Sequence, residues 1–173
     1  MPIFTLHEKA ELGLLKYENL TEEELNSRDK HGKTVWHYAV SRDYIFKNIP
    51  KHLFPAKVLN QIDEHGQKMW HIAAECNTLE LIPEHLFTSE ALAQRNKDGE
   101  AVWHIAAKFK TLKDINQDCF SHEALELKDE KGGSVWSKIA FHREIEEIPL
   151  HLINTSVFFI KTVWRLKIRL LTR

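Results

Sequence analysis

The apolar positions of this chain fall into short blocks that return every 33 or 34 residues, each built around a tryptophan. Trp36, Trp70, Trp103 and Trp136 lie 34, 33 and 33 residues apart. In the block Val102, Trp103, His104, Ile105, Ala106 and Ala107, the apolar residues at 102, 103, 106 and 107 mark one stripe of a helix. The blocks starting at 35, 69 and 135 predict the same helix. The small alanines let a neighbouring helix come close, and the indole supplies area to bury.

Each block is introduced by an aspartate or asparagine three residues before a glycine: Asp29 and Gly32, Asp63 and Gly66, Asn96 and Gly99, Asp129 and Gly132. This is turn chemistry, because the short acceptor bonds nearby amides and glycine permits positive φ. Thr34 and Ser134 are suited to cap the helix that follows, whereas Lys68 and Ala101 are not. Downstream, residues 78–82 predict a second short helix that Pro83 stops, since proline lacks the amide hydrogen and disfavours α geometry before it. A serine or threonine ahead of Glu90-Ala91-Leu92 and of Glu123-Ala124-Leu125 predicts the start of a third small helix.

The remainder repeats in the same frame. Ile49-Pro50 matches Ile82-Pro83 and Ile148-Pro149, with Asn116 in the proline's place in the third copy. Leu20 to Leu25 match the closing phrase, so the series begins with the back half of a unit. The organisation read from the chain is a capping half-unit at 1–28, units at 29–62, 63–95, 96–128 and 129–156, and a basic tail at 157–173. One such unit cannot bury its own apolar face, but stacked units can.

These residues resemble the ankyrin repeats, whose unit is about 33 residues with a Thr-Pro-Leu-His-x-Ala signature. Thr34-Val35-Trp36-His37-Tyr38-Ala39 is the nearest copy, and the resemblance covers about residues 14–153. It implies an all-α helical solenoid of about four units with partial end caps. It also implies that His37, His71 and His104 stabilise the turn before the helix by side-chain hydrogen bonds. Departures are plain: valine or methionine replaces the signature proline, and tryptophan replaces leucine. Where a glycine is expected after the first helix stand Asp43, Asn77, Lys110 and Arg143, of which only asparagine adopts a left-handed conformation easily. A divergent variant with altered stacking is expected.

Composition adds limits. The 173 residues are 43% hydrophobic and 28% charged with a formal net charge of -1, which suits one globular domain and gives no overall field to gather nucleic acid. Charge is uneven, however. Residues 1–27 carry six glutamates against Lys9 and Lys16, a balance of -4. Residues 157–173 carry Lys161, Arg165, Lys167, Arg169 and Arg173 with no acid, a balance of +5. Cys76 and Cys119 form no paired motif and read as free thiols of a reducing compartment, with a single long-range disulfide as the alternative. No signal-like or membrane-spanning apolar run is present, so a cytoplasmic protein is expected, with translocation into a host cell as the other reading.

The eleven histidines do not predict a metal site. One ligand per unit, with units about 10 Å apart, does not converge on one ion. No Gly-rich phosphate loop or nucleophile elbow occurs, and no cofactor is expected. Ankyrin proteins bind partners through turn tips and the inner edge of the first helix. By register these are Lys30, His31, Lys33 and Arg42; Glu64, His65, Gln67 and Glu75; Lys97, Asp98, Glu100, Lys108 and Phe109; and Glu130, Lys131 and His142. Phe109 is the expected aromatic anchor. The leading expectation is a protein-binding module acting by occupancy, as inhibitor, immunity or anti-defence factor, or adaptor. Behind it stand an effector that binds a host protein and an enzyme with a site on the concave face. Lys161-Thr162-Val163-Trp164 repeats Lys33 to Trp36, which predicts that the tail caps the last unit. Its two rivals are a strand over residues 164–170, which alternate apolar and polar, and a basic amphipathic helix lying on an acidic membrane.

Overall fold

The computed structural model of the chain describes residues 4–49, 56–63, 65–143 and 145–153. Glu64 and the predicted cap at 157–173 lie outside the described residues. Regular structure among the described residues is helical: α1 (Leu6–Glu11), α2 (Glu22–Asn26), α3 (Val35–Val40), α4 (Asp43–Phe46), α5 (Ala56–Leu59), α6 (Met69–Glu75), α7 (Ser89–Leu92), α8 (Val102–Phe109), α9 (His122–Leu125) and α10 (Val135–His142). Single antiparallel bridges at Ile62–Lys68, Arg95–Ala101 and Lys128–Ser134 close the turns into narrow hairpins.

Residues 96–125 show how one unit is built. The tip runs from Asn96 to Glu100, α8 follows, and Lys110 reverses the chain in a left-handed conformation with φ 65°. Both the Lys110 and the Thr111 amides donate to the Ala106 carbonyl, closing the helix end as a Schellman-type cap does. The return is not an α-helix. It is a 3₁₀ turn at Leu112–Asp114 and another at Gln117–Cys119, before Ser121 caps α9 by accepting from the Ala124 amide. Residues 78–92 repeat this, with 3₁₀ turns at Leu79–Leu81 and Glu84–Leu86 on either side of Pro83 and Thr88 capping α7. The short helix expected at 78–82 is therefore one tight 3₁₀ turn, because an extended residue such as Ile82 must precede proline.

The tryptophan-bearing helices stack in order, α3 on α6, α6 on α8 and α8 on α10, with α1 on the outer side of α3. Trp36, Trp70 and Trp103 are buried almost completely, and Trp136, in the last described first helix, is slightly more open. Trp70 and Trp103 meet the closing phenylalanines of their own units, Phe87 and Phe120, edge to face at 5.2 and 4.9 Å. Two buried threonines tie units together: Thr78 donates to the Val40 carbonyl of α3 at 2.8 Å, and Thr111 to the Ala74 carbonyl of α6 at 3.0 Å.

Three local expectations change. Lys110 and Arg143, like Asn77, adopt the left-handed conformation that glycine would take more cheaply, because the packed helix on one side and the buried return on the other fix the reversal. Asp43 does not, and begins the short helix α4 instead. Finally, the N-terminal region is more than a back half-unit: α1, with a Thr5–Glu8 capping box, packs on α3 where a preceding first helix would sit.

Candidate binding face

The four turns are built by the same set of bonds. In each, the Asx Oδ1 accepts two amides, those of His31 and Lys33, His65 and Gln67, Asp98 and Glu100, and Lys131 and Gly133. The glycine at the tip has φ between +66° and +79°. A Cβ on Gly99 would come within 2.9 Å of the Glu130 backbone nitrogen, so this glycine serves both the left-handed turn and the close approach of the next tip. Arg28 and Arg95 add a link that sequence patterning does not reveal. Each guanidinium donates to its own turn glycine carbonyl, at Gly32 and Gly99, and to the carbonyl of Ile62 or Lys128 at the start of the following turn.

Behind each tip the histidine joins turn to helix. Nδ1 of His37, His71 and His104 accepts the backbone amides of Thr34, Lys68 and Ala101 at 3.0, 3.2 and 3.0 Å. A ring nitrogen that accepts an amide carries no proton, so the proton resides on Nε2. Nε2 then donates onward, from His71 to the Gln94 carbonyl at 3.0 Å and from His104 to the Gly133 carbonyl at 3.2 Å. The histidine thus fills the place of the glutamate in a capping box, which is why Lys68 and Ala101 suffice at the cap. The Thr34 hydroxyl meets His37 Nδ1 at 2.9 Å rather than a helix amide, so it is not the expected hydroxyl cap. Ser134, by contrast, accepts from the Ser137 amide as predicted. Burial drives the pKa of all three imidazoles down, to about 4 for His37.

Among the predicted partner-binding residues, Lys30, His31, His65, Lys97, Asp98, Glu130 and Lys131 are exposed on the tips. Lys33 and Gln67 are half-buried, and the Lys33 ammonium stands 5.7 Å from the centre of the Tyr38 ring. Glu100 is half-buried and paired at 3.4 Å with Lys138, which also reaches Asp129 at 3.0 Å and so binds the third tip to the fourth. Arg42 pairs with Glu11 at 3.7 Å, tying α1 to the end of α3.

The ends of the first helices present a different surface. Glu75, Lys108 and Phe109 are exposed and His142 is half-buried. The Lys108 ammonium lies 5.1 Å from the centre of the Phe109 ring, which is 37% exposed. On the neighbouring helix Phe141 is 66% exposed and meets His142 edge to face at 4.9 Å. Phe141 is the residue that register reasoning passed over. It occupies the Lys108 position of its unit, a position expected to face a partner in the preceding copy but not carried over to this one. Tyr44, on α4, is 58% exposed, and its hydroxyl accepts from Arg42 at 3.4 Å.

Cys76 and Cys119 are free thiols. Among the described residues no group of three or more histidine, cysteine, aspartate or glutamate side chains is placed to hold a metal ion. No helix among them is long and apolar enough to cross a membrane. Comparison with protein families and with curated proteins finds no match to this chain.

Proposed function

We propose that the chain is a divergent ankyrin-type solenoid that acts by occupying a partner protein, in a reducing compartment such as the cytoplasm. The fold part rests on the recurrence of one bonding scheme in four turns and on first helices packed in series. The free thiols support the compartment.

The observation that carries the functional part is the pair of exposed phenylalanines, Phe109 and Phe141, at the same end of adjacent helices. The units bury their tryptophans almost completely, and Phe120 with them, so these two rings are not left outside by poor packing. Exposed aromatics are enriched at interface centres, with polar and charged residues around them as the rim. The mixed charges of the tips, Lys97 and Asp98 beside Glu130 and Lys131, supply a rim that fixes orientation.

The test is affinity capture with the intact chain, followed by Phe109→Ala/Phe141→Ala with helical content checked by circular dichroism. A stoichiometric protein should be captured and its affinity should fall about tenfold or more in the double variant, equivalent to about 1.4 kcal/mol. Equal capture by both chains would remove this face from the interface.

A further inference from the structure

The return segments build a second surface, separate from the first-helix ends. Between the 3₁₀ turns of the second and third units lies a groove of about 420 Å³. Its apolar lining comes from Leu79, Ile82, Phe87 and Ile115, and its polar lining from Glu80, Glu84, Asp114, Asn116 and Gln117 with one cation, Lys113. Asn116 closes one end, its Nδ2 donating to Glu84 Oε1 at 2.7 Å.

The charge of this surface is predominantly acidic. Across residues 78–87, 111–120 and 145–153 stand Glu80, Glu84, Asp114, Asp118, Glu146 and Glu147 against Lys113, a balance of -5 with histidines neutral, and Lys47 of the first unit, paired with Asp43, also lies within electrostatic reach of Glu80. Asp114 feels Glu80 from one neighbouring unit and Glu147 from the other, and burial together with these two like charges raises its pKa while Lys113 opposes them. Its Oδ2 is buried and accepts no hydrogen bond. Carboxylates gathered over an apolar floor repel one another unless a cation comes between them.

One stretch of this chain has the complementary chemistry. Residues 157–173 carry five cations and no acid, interleaved with Val157, Phe158, Phe159, Ile160, Val163, Trp164, Ile168 and Leu171. The stretch follows directly on the return segment of the fourth unit, which ends at Leu150–Leu152. The groove is between one and two units away, roughly 15 Å for units about 10 Å apart. The 20 residues 154–173 reach about 30 Å even as a helix.

We infer that the basic C-terminal segment docks in cis across the acidic groove of the return segments, with its apolar side chains on Leu79, Ile82, Phe87 and Ile115 and its cations among Glu80, Asp114 and Glu147. The segment lies across the return side of the stack rather than only over its end. Setting its five positive charges against the acidic return segments suppresses the attraction that a free basic amphipathic tail has for acidic surfaces.

Chymotrypsin cleavage after Trp164 in the full chain, without lipid, reads the undocked population, since cleavage tracks the open form when docking is fast. The unmodified chain should be cut slowly. Glu80→Lys/Asp114→Lys, with helical content intact, should be cut about tenfold faster or more, and Arg169→Glu/Arg173→Glu, which leave the residues beside the Trp164 bond unchanged, should restore slow cutting when added to that variant. Fast cutting of the unmodified chain, or a rate that groove reversal leaves unchanged, overturns the inference. Protection lost on dilution assigns the groove to a second copy and protection seen only with phosphatidylserine vesicles assigns the segment to a membrane; either outcome also overturns it. The phenylalanine variant above leaves these rates unchanged, so failure of the partner-binding proposal and failure of this one are separable.

Discussion

Acid should weaken this fold before its carboxylates titrate, because three of its helix caps are histidines that must stay neutral. Nδ1 of His37 accepts the Thr34 amide, so protonation would place one N–H against another. The ring is buried, and its folded pKa lies at about 4 instead of 6.5. A folded pKa below the unfolded value means that the unfolded chain binds the proton first as pH falls. Stability is therefore complete above pH 6.5 and is lost down to about pH 4. A difference of about 2.5 units corresponds to roughly 3 kcal/mol at about 1.36 kcal/mol per unit. His71 and His104 shift in the same direction for the same first cause. Against a total of about 5–15 kcal/mol for a domain, this is a large fraction. The depressed aspartates at the tips, Asp29 and Asp129, act in the same sense but below their ordinary 3.8, outside most of the window. Urea unfolding at pH 7.5, 6.5, 5.5 and 4.5 should show midpoints falling steadily with acid. In His37→Gln the introduced side-chain oxygen accepts the Thr34 amide, which completes an ordinary capping box, and it does not titrate. The fall should then be shallower by up to about 2.5 kcal/mol over that range, which stops short of the folded pKa. Identical slopes in parent and variant, or a midpoint that rises with acid, would refute the neutral-imidazole cap.

Two further outcomes follow from the packing. Trp103→Ala empties the centre of the stack beside Phe120 and should cost about 3–5 kcal/mol in urea unfolding; an unchanged midpoint would mean that the indole is not structural. Arg143→Gly, at an exposed position with φ 65°, should stabilise by about 0.5–1 kcal/mol and raise Tm by a few degrees; a loss of stability would show that the left-handed turn is not strained there.

The period, the turn positions, the burial of the tryptophans and the third small helix were all legible in the sequence. Each depends on residues close together in the chain: an Asx side chain bonding amides two and four residues on, a glycine at positive φ, an apolar stripe at helical spacing. Tertiary contact decided the rest. Lys110 has a low intrinsic preference for the left-handed region, yet it adopts it because Thr111 must reach the Ala74 carbonyl of the preceding unit. The histidines were expected to steady the turns, but their onward bonds to carbonyls 23 and 29 residues away exist only once units stack. Arg42 read as a solvent-facing contact, and the packing of α1 supplied Glu11 to pair with it. Phe141 was not among the residues expected to meet a partner, since exposure is set by which neighbour covers a helix end and not by residue type. Local rules name the elements because their energies are satisfied within a few residues. Which polar atoms find partners and which rings stay outside is set by neighbours in space, about one unit away along the chain.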